Sequence, residues 1–244
     1  MRFILITATL CLTSSLFAQN ILFVGNSLTY SNDLPNIVET IGKVYSKRLS
    51  TECICFPNYG LEDHWNDGAI QEKIKAKKFD YVIFQQGPSS QAYGRSSLFE
   101  FGSKISVLTK ANGAQPAYLT VWPSVQHYHT FEGVIKNHKD AAEANDAMLI
   151  PAGKMWVEYR KMDYQSDLYT TDLFHPSPTG SFLAALTIIK TVFPEIALTN
   201  LKHNKFRTWV SSKKDFAIRR YFHIYIINNL TYRTQFSSFF FKSI

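Results

Sequence analysis

Ile21-Leu22-Phe23-Val24-Gly25-Asn26-Ser27-Leu28-Thr29 carries four apolar residues straight into a glycine, an asparagine and a serine. A continuous apolar run closed by glycine reads as a strand buried on both faces of a parallel sheet. In such sheets ligands bind beyond the carboxyl ends of the strands, so Ser27 is expected on a binding rim. The pattern recurs along the chain: residues 51–56, 81–84, 117–122 and 147–150 read as four more strands. The intervening segments read as helices. One starts at a cap on Asn32 or Asp33, with Pro35 in its first turn, and runs to about Arg48. Others are expected over 62–77, 97–110 (stopped by Asn112-Gly113), 131–146, 152–160 and 177–192. The last has Phe182, Leu183, Leu186 and Ile189 on one apolar face. Strand and helix in alternation predict a three-layer α/β/α sandwich around a five-stranded parallel sheet. Gly25-Asn26-Ser27, Asn58-Tyr59-Gly60, Gln85-Gln86-Gly87 and Trp122-Pro123 then fall on one rim.

The 244 residues are 45% apolar and 18% charged, which suits one good-sized domain with a substantial core. The net charge of +7 is scattered rather than massed in a stripe, so no nucleic-acid partner is expected. Met1-Arg2, the apolar run 3–12 and the more polar 13–18 have the layout of a secretory signal, with cleavage near Ala18 or Gln19 and a secreted or periplasmic product. That run is too short to span a bilayer, so stable membrane insertion is not expected. Leu10 before Cys11 does not suit a lipid anchor. Cys53 and Cys55 read as two small core residues on one face of a strand. His127-Tyr128-His129 has no carboxylate or cysteine placed to complete a metal site. Residues 194–244 form an extension with no role assigned. From Phe216 onward it has no acidic residue, and Tyr221 to Ile227 is strongly apolar. Asn229-Leu230-Thr231 fits a glycosylation acceptor.

A serine hydroxyl is a weak nucleophile without a base at hydrogen-bond distance and donors for the oxyanion it creates. Asp172-Leu173-Phe174-His175-Pro176 supplies an acid and a base three residues apart, just ahead of a helix. His175 can take the proton of Ser27, and Asp172 can orient the imidazole.

The two stretches together resemble a known family. Phe23-Val24-Gly25-Asn26-Ser27-Leu28-Thr29 is similar to the first block of the SGNH hydrolases, also called GDSL esterases and lipases, in the variant with Asn before the serine. Asp172-Leu173-Phe174-His175-Pro176 with Thr179-Gly180 resembles their last block. The resemblance spans residues 20–193 and implies a flavodoxin-like sandwich. It also implies Ser27 as nucleophile, His175 as base and Asp172 as its partner. The oxyanion donors it implies are the N–H groups of Ser27 and Gly60; an alignment through Leu61 and His64-Trp65 puts Asn58 in place of Gly60. The third block departs from the family's Gly-x-Asn-Asp, since Gly87-Pro88-Ser89-Ser90 has no Asn. Some carbohydrate acetylesterases of the superfamily carry a Gln-Gly pair there, which Gln86-Gly87 resembles. Gln86 is therefore the expected third donor, with Gln85 and Ser89 as substitutes. Asn26, Asn58, His64, Gln85 and Ser89 are the candidate pocket residues. The expected activity is that of a secreted serine esterase that deacetylates a carbohydrate, with no metal or organic cofactor. The alternatives are a lipid acyl-hydrolase, a weakly catalytic or non-catalytic glycan-binding protein, and an interaction protein acting through its tail.

Overall fold

The computed structural model describes residues 19–162, 167–217 and 219–220. The signal reading of 1–18, the apolar stretch 221–227 and the acceptor at Asn229 lie outside the described residues. Five strands form one parallel sheet: β1 Gln19–Gly25, β2 Leu49–Cys55, β3 Tyr81–Phe84, β4 Gln115–Leu119 and β5 Met148–Ile150. Their order is β2-β1-β3-β4-β5. The order reverses between β1 and β3, and the crevice at that switch point is where doubly wound sheets bind ligands. Loops 25–27 and 85–87 meet there.

Ile21, Leu22, Phe23 and Val24 are all fully buried, because each face of β1 has a helical layer over it. Ile21 and Phe23 point into the core shared with α2 (Leu34–Val44), α7 (Ala152–Tyr159) and α8 (Pro178–Val192). Leu22 and Val24 point into the core shared with α3 (Leu61–Asp67), α4 (Ala69–Ala76) and α5 (Ala92–Ala111). The alternation follows from the two-residue period of a strand. The expected three-layer sandwich is borne out.

Several local expectations are corrected. A one-turn helix, α1 (Ser27–Tyr30), follows β1 directly. Neither Asn32 nor Asp33 caps α2 with its side chain, since both backbones take the left-handed conformation, φ 56°. The single helix expected over 62–77 is broken at Gly68, whose φ of +88° cannot continue a right-handed helix. Cys53 and Cys55 are not separate core thiols. They are joined in a disulfide on the edge strand β2, with Cys53 exposed. An ideal strand separates such Cα atoms by about 6.6 Å, but here the separation is 5.5 Å, inside the range a bridge can span.

The helix α8 is buried nearly all round rather than along one stripe. Its outer face is covered by the residues after Phe193. Ile196, Leu198, Leu201, Phe206, Val210 and Phe216 are all buried in the same core as α2 and α8. Phe206 and Phe216, the latter ending α9 (Lys213–Phe216), lie with ring centres 5.4 and 5.8 Å from Phe182 of α8. Lys190, at the end of α8, is buried and donates to the carbonyls of Pro194 and Ile196.

On α6 (Phe131–Ala144), His138 is buried and its Nδ1 lies 2.8 Å from the Val134 carbonyl. Burial pushes its pKa down from 6.5 to about 4. The folded state thus keeps His138 neutral while the unfolded chain takes up a proton as pH falls through 6.5. Stability from this residue is fully present above that pH and is lost between 6.5 and 4, on the order of 3 kcal/mol. Burial shifts His64 in the same direction. Denaturant melts at pH 7.5 and 4.5 are expected to show this loss, and His138→Leu is expected to reduce it.

Candidate active site

Ser27 is the first residue of α1, held in place by a network beneath it. The Asn26 side-chain oxygen accepts from Leu28 N–H at 3.0 Å, capping the turn, while its amide nitrogen donates to the Tyr59 carbonyl at 2.9 Å. Below this, Gln85 Oε1 accepts from the Asn26 N–H at 3.1 Å and the Thr29 hydroxyl at 2.9 Å. A Cβ on Gly25 would lie 2.6 Å from that oxygen, so only glycine lets Gln85 come this close. The serine turn is thus tied to the loops after both β2 and β3. Among the described residues, no group accepts from the Ser27 N–H.

His175 lies on a loop with its own bracing. Tyr169 and Pro176 form an antiparallel bridge, and Thr170 N–H donates to the His175 carbonyl at 2.9 Å. Trp122 Nε1–H donates to the Phe174 carbonyl at 3.2 Å, and Trp122 is stacked on Trp156 at 3.6 Å between ring centres. The Tyr169 hydroxyl donates to the Pro123 carbonyl at 2.8 Å. Leu173 takes a left-handed φ of 62°. That turn lets Asp172 Oδ1 accept from Phe174 N–H and His175 N–H, each at 2.9 Å, and from the Thr170 hydroxyl at 2.7 Å. Ser177 then caps α8 by accepting from Gly180 N–H at 3.1 Å.

The two elements meet. Asp172 Oδ2 lies 2.5 Å from His175 Nδ1, and His175 Nε2 lies 2.9 Å from Ser27 Oγ. A carboxylate opposite Nδ1 places the proton there, which leaves Nε2 as the acceptor for the serine hydroxyl. Hydrogen bonds from the His175 ring, the Thr170 hydroxyl and the Phe174 and His175 N–H groups hold the Asp172 carboxyl far below the usual carboxylate range. The arrangement can draw the proton from Ser27 Oγ as it attacks an electrophile, and can hold the imidazolium that results.

The other candidates are placed as follows. The Gly60 N–H donates to Asp63 Oδ2 at 2.7 Å. Gln86 is buried, and its amide nitrogen donates to Ser89 Oγ at 2.9 Å and the Gly94 carbonyl at 3.0 Å. Gln86 faces Gly60, with its Oε1 3.9 Å from where a Cβ on Gly60 would sit. Ser89 is buried, and Asn137 of α6 anchors its carbonyl at 2.7 Å. Asn58 sits exposed on a left-handed turn. His64 is buried, with Nε2 2.8 Å from the Gly25 carbonyl. A cavity of about 650 Å³ bordered by Arg160, Thr170 and Leu173 flanks the histidine loop, and neither Ser27 nor His175 lines it. Thr29, Trp122 and Thr170 also brace the site. Thr29 belongs to the first block and Trp122 to a strand end on the expected rim, whereas Thr170 carries no sequence signal.

No family model and no curated protein matches the chain. Solved structures do. A protein assigned to the SGNH hydrolases from Slackia heliotrinireducens is 25% identical over 72% of this chain and all of its own, with a TM-score of 0.63. A DUF4886 family protein from Bacteroides uniformis is 17% identical over 86% of this chain and 96% of its own, with a TM-score of 0.62. A variant of an acetyl-xylooligosaccharide esterase from Geobacillus is 15% identical over 72% and 94%, with a TM-score of 0.59. These likenesses give the chain the fold of the SGNH hydrolases.

Proposed function

We propose that this protein is a serine esterase that cleaves carboxylic esters, above all acetyl esters on a carbohydrate, through an acyl-enzyme. The hydrogen-bonded chain Asp172–His175–Ser27 carries the reading. Ser27 Oγ attacks the ester carbonyl as His175 Nε2 takes its proton. The proton then passes to the departing alcohol, leaving Ser27 acylated. Water, deprotonated by the same imidazole, releases the acid and restores the serine. The carbohydrate preference is supported by the acetyl-xylooligosaccharide esterase and an acetyl xylan esterase among the structural neighbours.

For the oxyanion, Ser27 N–H is the donor at hand. Gly60 N–H and the Gln86 amide complete the hole if they exchange present partners for substrate: Asp63 in one case, Ser89 or Gly94 in the other. The product is proposed to be secreted. Cleavage after Ala18 leaves β1 whole, because Gln19 is already paired beside Leu49.

Two measurements test the esterase reading. The protein without residues 1–18 is expected to turn over p-nitrophenyl acetate faster than the hexanoate and longer esters. A fluorophosphonate probe is expected to label one peptide, the one containing Ser27, as read by mass spectrometry. Absence of both signals favours a non-catalytic binding role, and a preference for long acyl chains favours lipid esters.

A further inference from the structure

The Ser27–His175 contact spans two elements far apart in sequence, and one side chain outside the triad joins them. Asn32 follows α1 by two residues. Its amide nitrogen donates to the Pro176 carbonyl at 2.8 Å and to Ser181 Oγ at 3.0 Å, which uses both of its hydrogens. Pro176 directly follows His175, and Ser181 is buried in the first turns of α8. The Ser181 hydroxyl reaches back to the Ser31 carbonyl at 3.3 Å, closing the link from the other side. Asn32 aims its amide this way because its backbone is left-handed, φ 56° and ψ 17°, a conformation that asparagine tolerates better than other non-glycine residues. From the segment after α8, Trp209 Nε1–H donates to the Asn32 carbonyl at 3.0 Å.

We propose that Asn32 is a positioning residue that holds the His175 loop in register with Ser27, and that Trp209 makes this clamp depend on residues 194–216. The clamp rests on the Ser27–His175 reading above. It adds a link between α1 and the histidine loop that neither triad residue supplies. The side chain touches no substrate. It acts on the separation of nucleophile and base, and a misplacement of 1 Å at reacting groups can cost about a hundredfold in rate.

Asn32→Gly is the informative variant, because glycine keeps the left-handed backbone and removes only the amide. With p-nitrophenyl acetate it is expected to lower kcat about tenfold or more with KM within about twofold of the parent, while the melting temperature changes little. Asn32→Asp, which sets a carboxylate oxygen against the Pro176 carbonyl, is expected to be worse. Trp209→Phe keeps an aromatic ring at this place and loses the indole N–H; it is expected to lower kcat less, and to add little in the Asn32→Gly background, as two members of one linkage should. A kcat for Asn32→Gly within about twofold of the parent, or a loss matched by unfolding, overturns the proposal. Should the parent show no Ser27-dependent turnover, the esterase reading fails by itself. The clamp is then judged by hydrogen exchange at the Thr170 and Ser177 amides. Faster exchange in Asn32→Gly upholds it, and unchanged exchange overturns it.

Discussion

Ser27→Ala and His175→Ala are each expected to lower kcat for p-nitrophenyl acetate by about a thousandfold or more, and the double variant to be little worse than either. Nucleophile and base act as one unit, so removing one leaves the other nothing to do. Asp172→Asn is the sharper test because its effect is set by the hydrogen bonds around the carboxylate. Asp172 Oδ1 serves three donors: Phe174 N–H, His175 N–H and the Thr170 hydroxyl. An asparagine keeps its single oxygen at that position, since an amide N–H₂ group there would face three donors. Its nitrogen then faces His175 Nδ1 and forces the imidazole proton onto Nε2, opposite Ser27. That is the wrong tautomer for a base. A fall of about a hundred- to ten-thousandfold with the loop intact is expected. Steady-state kinetics beside a thermal melt separates this from unfolding, and an Asp172→Asn enzyme with near-parental kcat would remove Asp172 from its role. Because the carboxyl of Asp172 is held far below its ordinary range, its charge persists as pH falls.

The two blocks that organise the site could be read from the chain because each is local. A buried strand ending in Gly-Asn-Ser and an Asp-x-x-His ahead of a helix are patterns of adjacent residues. The layered fold could be read for the same reason, from hydrophobic periodicity. What escaped was of two kinds. Short elements have too few residues to show a period, so the turn starting at Ser27 could be read only as a helix or a turn, not as the one-turn α1. The other kind is side chains whose partner lies far along the chain. Asn32 has the composition of a helix cap, and only the distant Pro176 and Ser181 give its amide another use. Gln85 and Gln86 are neighbours with the same chemistry, yet one accepts beneath the serine turn and the other donates to its own loop. Likewise α8 showed one apolar face clearly, while its second face acquired meaning only from Phe206 and Phe216.

That second face sets the other large effect. A chain ending after Phe193 is expected not to fold. The cut removes six apolar side chains that are buried on the core: Ile196, Leu198, Leu201, Phe206, Val210 and Phe216. At about 1.5–3 kcal/mol for each buried side chain, the gross loss is comparable to the entire stability of a domain, about 5–15 kcal/mol. The cut also opens the outer face of α8 to water and takes away the carbonyls that satisfy Lys190 and the Tyr45 hydroxyl. In the full chain, Phe206→Ala is the graded version. It empties a fully buried site against Phe182 and is expected to cost about 3–5 kcal/mol. Circular dichroism and denaturant melts read both. A fragment 19–193 that melts cooperatively near the parent temperature would show that the sheet and eight helices suffice, and the extension would then be a cover rather than a part of the core. An unfolded fragment together with a destabilised but active Phe206→Ala enzyme would instead show that residues 194–216 complete the helical layer on which both Asn32 and the histidine loop rest.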